Sequence, residues 1–301
     1  MPPLARAPGA AGSGQELTVP PGRSRHAVLK ARHYETAALA WFTGILDHLH
    51  HLRPHTRFAW YGLPDTTSYW AKYDDPKQGP LLRARNDRLI PLWAASGWIA
   101  PCGYLSVGFS PTKQWEHVHA GVQEAVRCAR AGTKYNEARS GLGLASGTPP
   151  PVLAVQWNFY HLSLSGKIGD GWKPVSTTDM PIPFLAAYAA GAAATISWDC
   201  PGAFAKHFVG PCPKNASADV MVECRVNATR RLITTEMGPM VKAMLSAVEG
   251  CAAANCSAHG RCSLLPWAGT AGYYPTAQEL CVCDDGRAGT HCETTTPSVG
   301  Q

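Results

Sequence analysis

The sequence is poor in charged residues and contains no long apolar run. Only 16% of its 301 residues are Asp, Glu, Lys or Arg, and no stretch approaches the roughly 20 apolar residues that a membrane-spanning helix needs. Residues 1–25 are rich in Pro, Gly, Ala and Ser and lack the apolar core of an export signal. We therefore expect no membrane span, and we expect residues 1–25 to be disordered.

The chain also lacks the charge pattern of a nucleic-acid-binding protein. Its formal net charge of +6 comes from scattered Lys and Arg, with no basic run and no RNA-binding motif. A mildly basic surface favours an acidic partner but does not specify one. Hydrophobic content of 45%, with ten Trp and ten Tyr, indicates a globular protein. The length allows one large domain and one small module.

Six cysteines cluster near the C-terminus with the spacing C-x4-C-x5-C-x18-C-x-C-x8-C. So short a segment cannot bury enough apolar surface to fold unaided, so disulfides, and hence an oxidising compartment, are expected. A zinc site is the alternative, because His259 and His291 lie nearby, but no C-x2-C pairs face each other at zinc-finger spacing. The layout resembles an EGF-like module. That resemblance implies the pairs Cys251–Cys262, Cys256–Cys281 and Cys283–Cys292.

Three Asn-x-Ser/Thr sequons point to the same compartment as the cysteines. They begin at Asn215, Asn227 and Asn255, and each marks an acceptor for N-linked glycans in a secreted protein. We predict glycosylation at Asn215 and Asn227. The chain is therefore expected to be secreted, or to reside in lysosomes or elsewhere in the endomembrane system.

Apolar periodicity predicts strands that alternate with helices. The predicted helices cover residues 34–52, 81–93, 114–131, 184–190 and 220–248, and Gly132 is read as the end of the third. The predicted strands cover residues 57–61, 98–107, 152–160 and 193–198, and a Gly/Pro-rich linker covers 141–151. Such alternation indicates parallel βαβ units.

Each predicted strand carries an aromatic residue at or near its C-terminal end: Tyr61, Tyr104, Tyr160 and Trp198. In a β/α barrel the C-terminal strand ends form the rim of the active site. Four aromatic rings there would line a carbohydrate-sized cleft by stacking. The alternative is that aromatic residues simply favour strands, and the pattern alone leaves both interpretations open.

Residues 22–293 resemble the hyaluronidase family of glycoside hydrolases. The matching stretches begin with Trp60-Tyr61-Gly62-Leu63-Pro64-Asp65 and Arg83-Ala84-Arg85-Asn86-Asp87-Arg88-Leu89. They continue with Leu92-Trp93, Pro101, Tyr104, Val152-Leu153, Phe159-Tyr160, Gly191-Ala192-Ala193 and Trp198. The resemblance implies an incomplete TIM-like β/α barrel over residues 26–249, an EGF-like module over 250–293 and a tail over 294–301.

The same resemblance implies an endo-glycosidase that cleaves N-acetylhexosaminidic bonds of hyaluronan or chondroitin. In this family a Glu of a D-x-E pair is the general acid, and the acetamido oxygen of the substrate is the nucleophile. Tyr61 and Tyr104 would hydrogen-bond the acetamido group, Trp198 would form an apolar wall, and Tyr160 matches a strand-end position. No cofactor or metal is implied, and we expect a monomer.

The sequence contains no D-x-E pair, so no residue is nominated as the general acid. The family's pair lies upstream of the part that matches here, and we expect this chain, as written, to be inactive. Asp65 is the nearest substitute carboxylate, but an Asp after Pro more commonly forms a turn. The alternative function is a non-catalytic glycosaminoglycan-binding or adhesion protein.

Five further cysteines lie outside the cluster. The resemblance implies that Cys224 pairs with a cysteine upstream of the matching region, while Cys200 and Cys212 flank an insertion and could pair with each other. Cys102 and Cys128 could pair or remain buried thiols.

Overall fold

The computed structural model describes residues 22, 24–64, 73–140, 147–161, 175–198, 217–262, 281–284 and 286–296. Within these residues the chain forms seven α-helices, one π-helical turn and six short strands. The helices are α1 (Arg25–Leu52), α2 (Gln78–Asp87), α3 (Ile90–Ala95), α4 (Pro111–Ser140), α5 (Ile182–Ala190), α6 (Ala218–Leu232) and α7 (Gly238–Asn255). The strands are β1 (Leu153–Trp157), β2 (Ala194–Trp198), β3 (Gly260–Cys262), β4 (Cys281–Cys283), β5 (Arg287–Ala288) and β6 (Thr294–Thr295).

Four extended segments lie side by side in chain order, and their pairing is predominantly parallel. β1 and β2 pair in parallel from Leu153↔Ala194 to Trp157↔Trp198. Parallel bridges connect the segment at 99–106 to β1 and the residues after it, and Tyr61 bridges in parallel to Ala100. The predicted parallel β/α arrangement is therefore confirmed for the described residues.

The first two predicted strands are not continuous ladders, and in this respect the prediction is wrong. The segment at 98–107 forms only isolated bridges. Pro101 lies inside it and has no backbone N–H, so it interrupts a strand. The segment at 57–61 also lacks a regular ladder: Tyr61 and Leu63 both bridge to Ala100, on either side of Gly62, which has a φ of +79°. A turn therefore replaces the end of that strand.

The hydrophobic core lies between the parallel segments and helices α3, α4 and α5, with α1 packing on α3. α4 is the central helix of this layer, because it contacts both α3 and α5. Val118, Val122 and Ala125 on α4 are fully buried. Their spacing of three and four residues places them on one helix face.

α4 does not end at Gly132 as predicted but continues to Ser140. A Cβ added at Gly132 would lie 2.7 Å from the carbonyl carbon of Trp93 and from the nitrogen of Ala94. Gly132 therefore serves the close approach of α4 to α3. Gly132, which the sequence analysis interprets as a helix end, instead allows tight packing of two helices.

Two predicted helices are divided at prolines. The helix predicted over 81–93 consists of α2 and α3, and Pro91 lies in the first turn of α3, where its missing N–H is tolerated. The long helix predicted over 220–248 contains a π-helical turn at Ile233–Met237. The ring of Pro239 crowds the carbonyl four residues earlier, and a π turn accommodates such a break.

The cysteine-rich segment, residues 251–292, begins in the last turns of α7. Disulfides join Cys251 to Cys262, Cys256 to Cys281, and Cys283 to Cys292. β3 and β4 form an antiparallel pair, as do β5 and β6. The buried centre of the described part of this segment consists of cysteine side chains, so the cross-links take the place of an apolar core.

The remaining cysteines differ in part from expectation. Cys102 and Cys128 carry thiols instead of a shared disulfide. Cys224 on α6 is disulfide-bonded within this chain, so the expected dependence on an upstream partner is wrong. Cys200 and Cys212 lie outside the described residues. No described helix has both the length and the apolar character needed to cross a membrane.

Candidate functional site

Four aromatic rings meet at one edge of the parallel segments. We call Tyr61, Tyr104, Trp157 and Trp198 the aromatic cluster. The Tyr104 ring centroid lies 6.2 Å from that of Tyr61, 6.0 Å from that of Trp157 and 6.1 Å from that of Trp198. Trp157 and Trp198 stack with centroids 6.0 Å apart and an interplanar angle of 18°. Tyr104 is therefore the centre of the cluster.

The backbone explains why these rings meet. Trp157 and Trp198 are the last residues of β1 and β2, and their Cα positions are partners in the parallel register. Tyr61 forms the bridge to Ala100 at the end of its own segment. The carboxyl ends of parallel strands lie at the same edge of a sheet, which in β/α barrels is the edge where active sites form. The local sequence and the parallel pairing together assemble the cluster.

The cluster has a buried floor and an exposed rim. Tyr104 and Trp157 are 8% and 5% exposed, whereas Tyr61 and Trp198 are 53% and 37% exposed. Large apolar side chains with this much exposure, placed around a buried aromatic floor, offer a surface on which a ligand with an apolar face can stack.

Two tyrosine hydroxyls supply polar groups to this surface. The Tyr104 hydroxyl is buried and has no hydrogen-bond partner of acceptable geometry within the described residues. Burial raises the pKa of Tyr104 to about 12, and the nearby Tyr61 hydroxyl and Trp198 side chain partly offset this rise. Burial also raises the pKa of Tyr61, whose hydroxyl lies 3.8 Å from Cys102 Sγ. Both hydroxyls therefore stay protonated at neutral pH and can donate hydrogen bonds.

Tyr160, the fourth aromatic residue singled out from the sequence, lies elsewhere. Its ring packs against the main core, whereas Trp157 and Phe159 belong to the smaller core that contains Tyr104. Its hydroxyl donates to Asp179 Oδ2 at 2.5 Å and accepts from the Ser176 backbone N–H at 3.2 Å. Burial, followed by the hydrogen bond to Asp179, raises the pKa of Tyr160. No described ring contact joins Tyr160 to the aromatic cluster, and its role in substrate binding stays a prediction.

Two members of the site were missed at the sequence level. Trp157 belongs to the aromatic cluster, and the His161 ring lies 5.7 Å from the Tyr104 ring. The alternation of side chains along a strand was the usable signal. Residues 157 and 159 share the face that contacts Tyr104, and residue 160 takes the opposite face.

Of the other predicted site residues, some are among the described residues and some are not. Asn227 is exposed on α6. Asp65 and Asn215 lie outside the described residues. Among the residues that are described, no group of three or more His, Cys, Asp or Glu could hold a metal ion.

Comparison with known proteins supports the resemblance to hyaluronidases that the sequence motifs indicate. Residues 19–139 match a family model described as hyaluronidase. The resemblance to the hyaluronidase family is confirmed. Human Hyaluronidase-1 is 27% identical over 234 residues, which cover 76% of this chain and 45% of that protein. Rat Hyaluronidase-3 is 27% identical over 236 residues, which cover 76% of this chain and 48% of that protein. This hyaluronidase-like chain thus spans about half the length of the curated relatives that it matches.

The fold is also that of a hyaluronidase. The crystal structure of bee venom hyaluronidase matches with a TM-score of 0.51 and 18% identity, over 74% of this chain and 60% of that one. The same venom enzyme in complex with a hyaluronic acid tetramer matches with a TM-score of 0.52, also at 18% identity, over 74% of this chain and 58% of that one. At this identity the likeness establishes the TIM-barrel-type fold alone.

Proposed function

We propose that this chain belongs to a hyaluronidase-type endo-glycosidase and that the aromatic cluster holds an N-acetylhexosamine unit of hyaluronan or of a chondroitin chain. The observation that carries the proposal is the meeting of Tyr61, Tyr104 and Trp198 within 6.2 Å, centroid to centroid along the cluster. The sequence singles out the same three residues for this role, and the resemblance to hyaluronidases supplies the substrate class.

The rim is suited to the apolar face of a sugar ring. A pyranose presents axial C–H groups on one face, and these pack on an aromatic ring as another apolar group would. Trp198 is backed by Trp157 in a stack with an interplanar angle of 18°. The indole plane of Trp198 is therefore held in place before a sugar arrives, which reduces the entropy cost of binding.

The two hydroxyls are suited to an acetamido group. An amide carbonyl accepts hydrogen bonds, and the buried Tyr104 hydroxyl, which has no partner of acceptable geometry among the described residues, is a donor that a ligand carbonyl could satisfy. Tyr61, 53% exposed, offers a second donor from the rim. Trp198 then forms the apolar wall next to the acetamido methyl. In this arrangement the site prefers an N-acetylated sugar to one with a free hydroxyl at the same carbon.

The reaction that the resemblance implies is substrate-assisted. The acetamido oxygen attacks the anomeric carbon, the glycosidic C–O bond breaks, and a general acid gives its proton to the departing oxygen. Water then opens the cyclic intermediate with retention at the anomeric carbon. Our proposal assigns the residues that orient the acetamido group. The proton donor is not assigned to any residue of this sequence, which has no D-x-E pair.

The cysteine-rich segment fits the same proposal as an EGF-like module on a secreted or lysosomal enzyme. Its disulfides connect the first cysteine to the third, the second to the fourth and the fifth to the sixth. Such cross-links persist in oxidising compartments. We extend the proposal to N-glycosylation at the exposed Asn227 and to a monomeric state.

The test is the binding of hyaluronan hexasaccharide to the wild type and to Tyr104→Phe, measured by calorimetry. Loss of one donor should weaken binding about 2- to 13-fold, because one hydrogen bond contributes about 0.5–1.5 kcal/mol. The same variant should be as stable as the wild type, or more stable by about 1 kcal/mol, since it removes a buried hydroxyl for which the described part of the chain supplies no partner.

Tyr34→Phe is the matched control, because Tyr34 is 76% exposed on α1 and lies outside the aromatic cluster. It should change neither binding nor stability. Unchanged hexasaccharide binding in Tyr104→Phe, or tighter binding to glucose-based oligomers than to N-acetylated ones, would remove the aromatic cluster from the proposed role.

A further inference from the structure

His161 lies next to the aromatic cluster, and the function proposed above gives it no role. Its ring centroid is 5.7 Å from that of Tyr104, and its side chain is exposed. The ring centroid of Trp198, which is also exposed, is 6.1 Å from that of the same tyrosine. The buried Tyr104 ring therefore contacts two exposed side chains of different chemistry, an indole and an imidazole.

The backbone of His161 is fixed to the segment that carries Tyr104. Its N–H donates to the Leu105 carbonyl at 2.7 Å, and its carbonyl accepts from the Val107 N–H at 3.3 Å. These two bonds form the parallel bridge between His161 and Ser106. The imidazole is therefore held beside Tyr104 before a ligand arrives, which lowers the entropy cost of using it in binding.

His161 differs in charge from the other rings of the site. Four described rings contact that of Tyr104, and they belong to Tyr61, Trp157, His161 and Trp198. Of these four side chains only His161 can carry a positive charge. Among the described residues, no Asp or Glu forms an ion pair with its ring. Both of its ring nitrogens can donate hydrogen bonds when the imidazole is protonated.

The ionisable groups that face His161 in the described part of the chain are uncharged in mild acid. Burial raises the pKa of Tyr104 to about 12, so its hydroxyl stays protonated. Burial, followed by the effect of His161, lowers the pKa of His117 on α4 to about 4, so that ring is neutral at pH 5.5. The carboxylate of Asp179 accepts a hydrogen bond from Tyr160, whose ring packs against the main core. The positive charge beside the aromatic cluster therefore comes from His161.

An acidic sugar unit is the natural partner for this charge. In the polysaccharides proposed as ligands, each N-acetylhexosamine is linked to a uronic acid that carries one carboxylate. When the N-acetylhexosamine stacks on Trp198 above Tyr104, a neighbouring unit can extend over the Tyr104 ring to His161. A hydrogen bond between a protonated imidazole and a carboxylate is charge-assisted, and such bonds are stronger than neutral ones.

We propose that His161 is a specificity-determining residue that selects a uronic acid unit by donating a ring N–H to its carboxylate. This inference rests on the function proposed for the aromatic cluster, and it adds the residue that recognises the acidic unit of the polymer. The aromatic rings supply most of the contact area, whereas the imidazole distinguishes an acidic neighbour from a neutral one. Charged groups at the rim of a site characteristically contribute to specificity more than to affinity.

The experiment compares two ligands by calorimetry on the intact chain at pH 5.5 and low ionic strength. One is hyaluronan hexasaccharide, and the other is the same hexasaccharide with its carboxylates reduced to alcohols. The wild type should bind the acidic ligand about 3- to 5-fold more tightly, which is the contribution of one exposed charge pair. His161→Gln should bind both ligands with similar affinity, and His161→Lys should keep the preference. His48→Gln, at an exposed position on α1, should behave as the wild type.

The same comparison at pH 8 separates recognition from a merely structural role. Histidine loses its charge between roughly pH 5 and pH 8, so the preference of the wild type should disappear there, whereas His161→Lys should retain it. An undiminished preference in His161→Gln, or its loss in His161→Lys, would overturn the role of His161. If the wild type binds neither ligand, the function proposed for the aromatic cluster fails, and the inference about His161 falls with it. Binding of both ligands with a preference independent of His161 contradicts this inference alone.

Discussion

Trp157 and Trp198 stack at paired Cα positions of β1 and β2, with ring centroids 6.0 Å apart, yet only Trp198 is substantially exposed. One indole is therefore part of the core and supports the other, which faces solvent. We therefore expect Trp157 to contribute mainly to stability and Trp198 mainly to ligand binding.

The two tryptophans should respond differently to truncation. Trp157→Ala removes a side chain that is 5% exposed and should lower the free energy of unfolding by about 3–5 kcal/mol. Trp198→Ala should cost much less stability and should abolish most hyaluronan hexasaccharide binding. Urea denaturation and calorimetry on both variants measure the two quantities. Equal destabilisation by both substitutions would contradict this division.

Glu124 is a fully buried carboxylate that ties α4 to the chain before it. It accepts hydrogen bonds from Tyr73 at 3.0 Å, Asn86 at 2.8 Å, and Arg127 Nε at 2.7 Å. Glu124→Gln replaces an ion pair by a neutral amide and places an NH2 group among donors. We expect the free energy of unfolding to fall by roughly 1.5–3 kcal/mol.

Glu116→Gln on the same helix is the matched control for Glu124→Gln, because Glu116 is exposed. Its unfolding free energy should stay within about 0.5 kcal/mol of the wild type. If Glu124→Gln is equally mild in urea denaturation, the buried network contributes no net stability.

A substitution at Gly132 tests whether this glycine is needed for the close contact between α4 and α3. Gly132→Ala should be destabilising although alanine is the better helix former, because the new Cβ would lie 2.7 Å from the α3 backbone. Gly44→Ala in α1 is the control, since a Cβ at Gly44 meets nothing within 4 Å. That variant should gain about 0.5–1 kcal/mol. The difference in melting temperature between the two measures the tight helix contact, and an increase in both would refute it.

The buried side chain of His117 should make the folded state sensitive to acid. Burial, with a smaller effect from His161, lowers the pKa of His117 from 6.5 to about 4. Because the folded-state pKa is the lower one, its contribution is complete above pH 6.5 and is lost as the pH falls toward 4. The loss at pH 4 is on the order of 3 kcal/mol.

His117→Gln should flatten this part of the stability profile relative to the wild type, as measured by urea denaturation between pH 7 and pH 4. His26→Gln, at an exposed position on α1, should retain the full slope. A profile for His117→Gln that parallels the wild type would show that other groups cause the acid sensitivity.

The amino-acid sequence alone determined the elements with strong local signals. Apolar periodicity located most of α1, α4 and α5, and alternation of strands and helices indicated parallel pairing because short parallel segments need helical crossovers. Cysteine spacing indicated a cross-linked segment, since so few residues cannot form an apolar core. The family motifs singled out Tyr61, Tyr104 and Trp198, all of which belong to the aromatic cluster.

The tertiary structure decided what depends on neighbours distant in sequence. Gly132 is a close-contact residue and not a helix stop, because α3 lies against it. Trp157 belongs to the aromatic cluster, whereas Tyr160, which lies three residues beyond the end of β1, packs against the main core. Each of these depends on a packing contact between segments that no local pattern encodes.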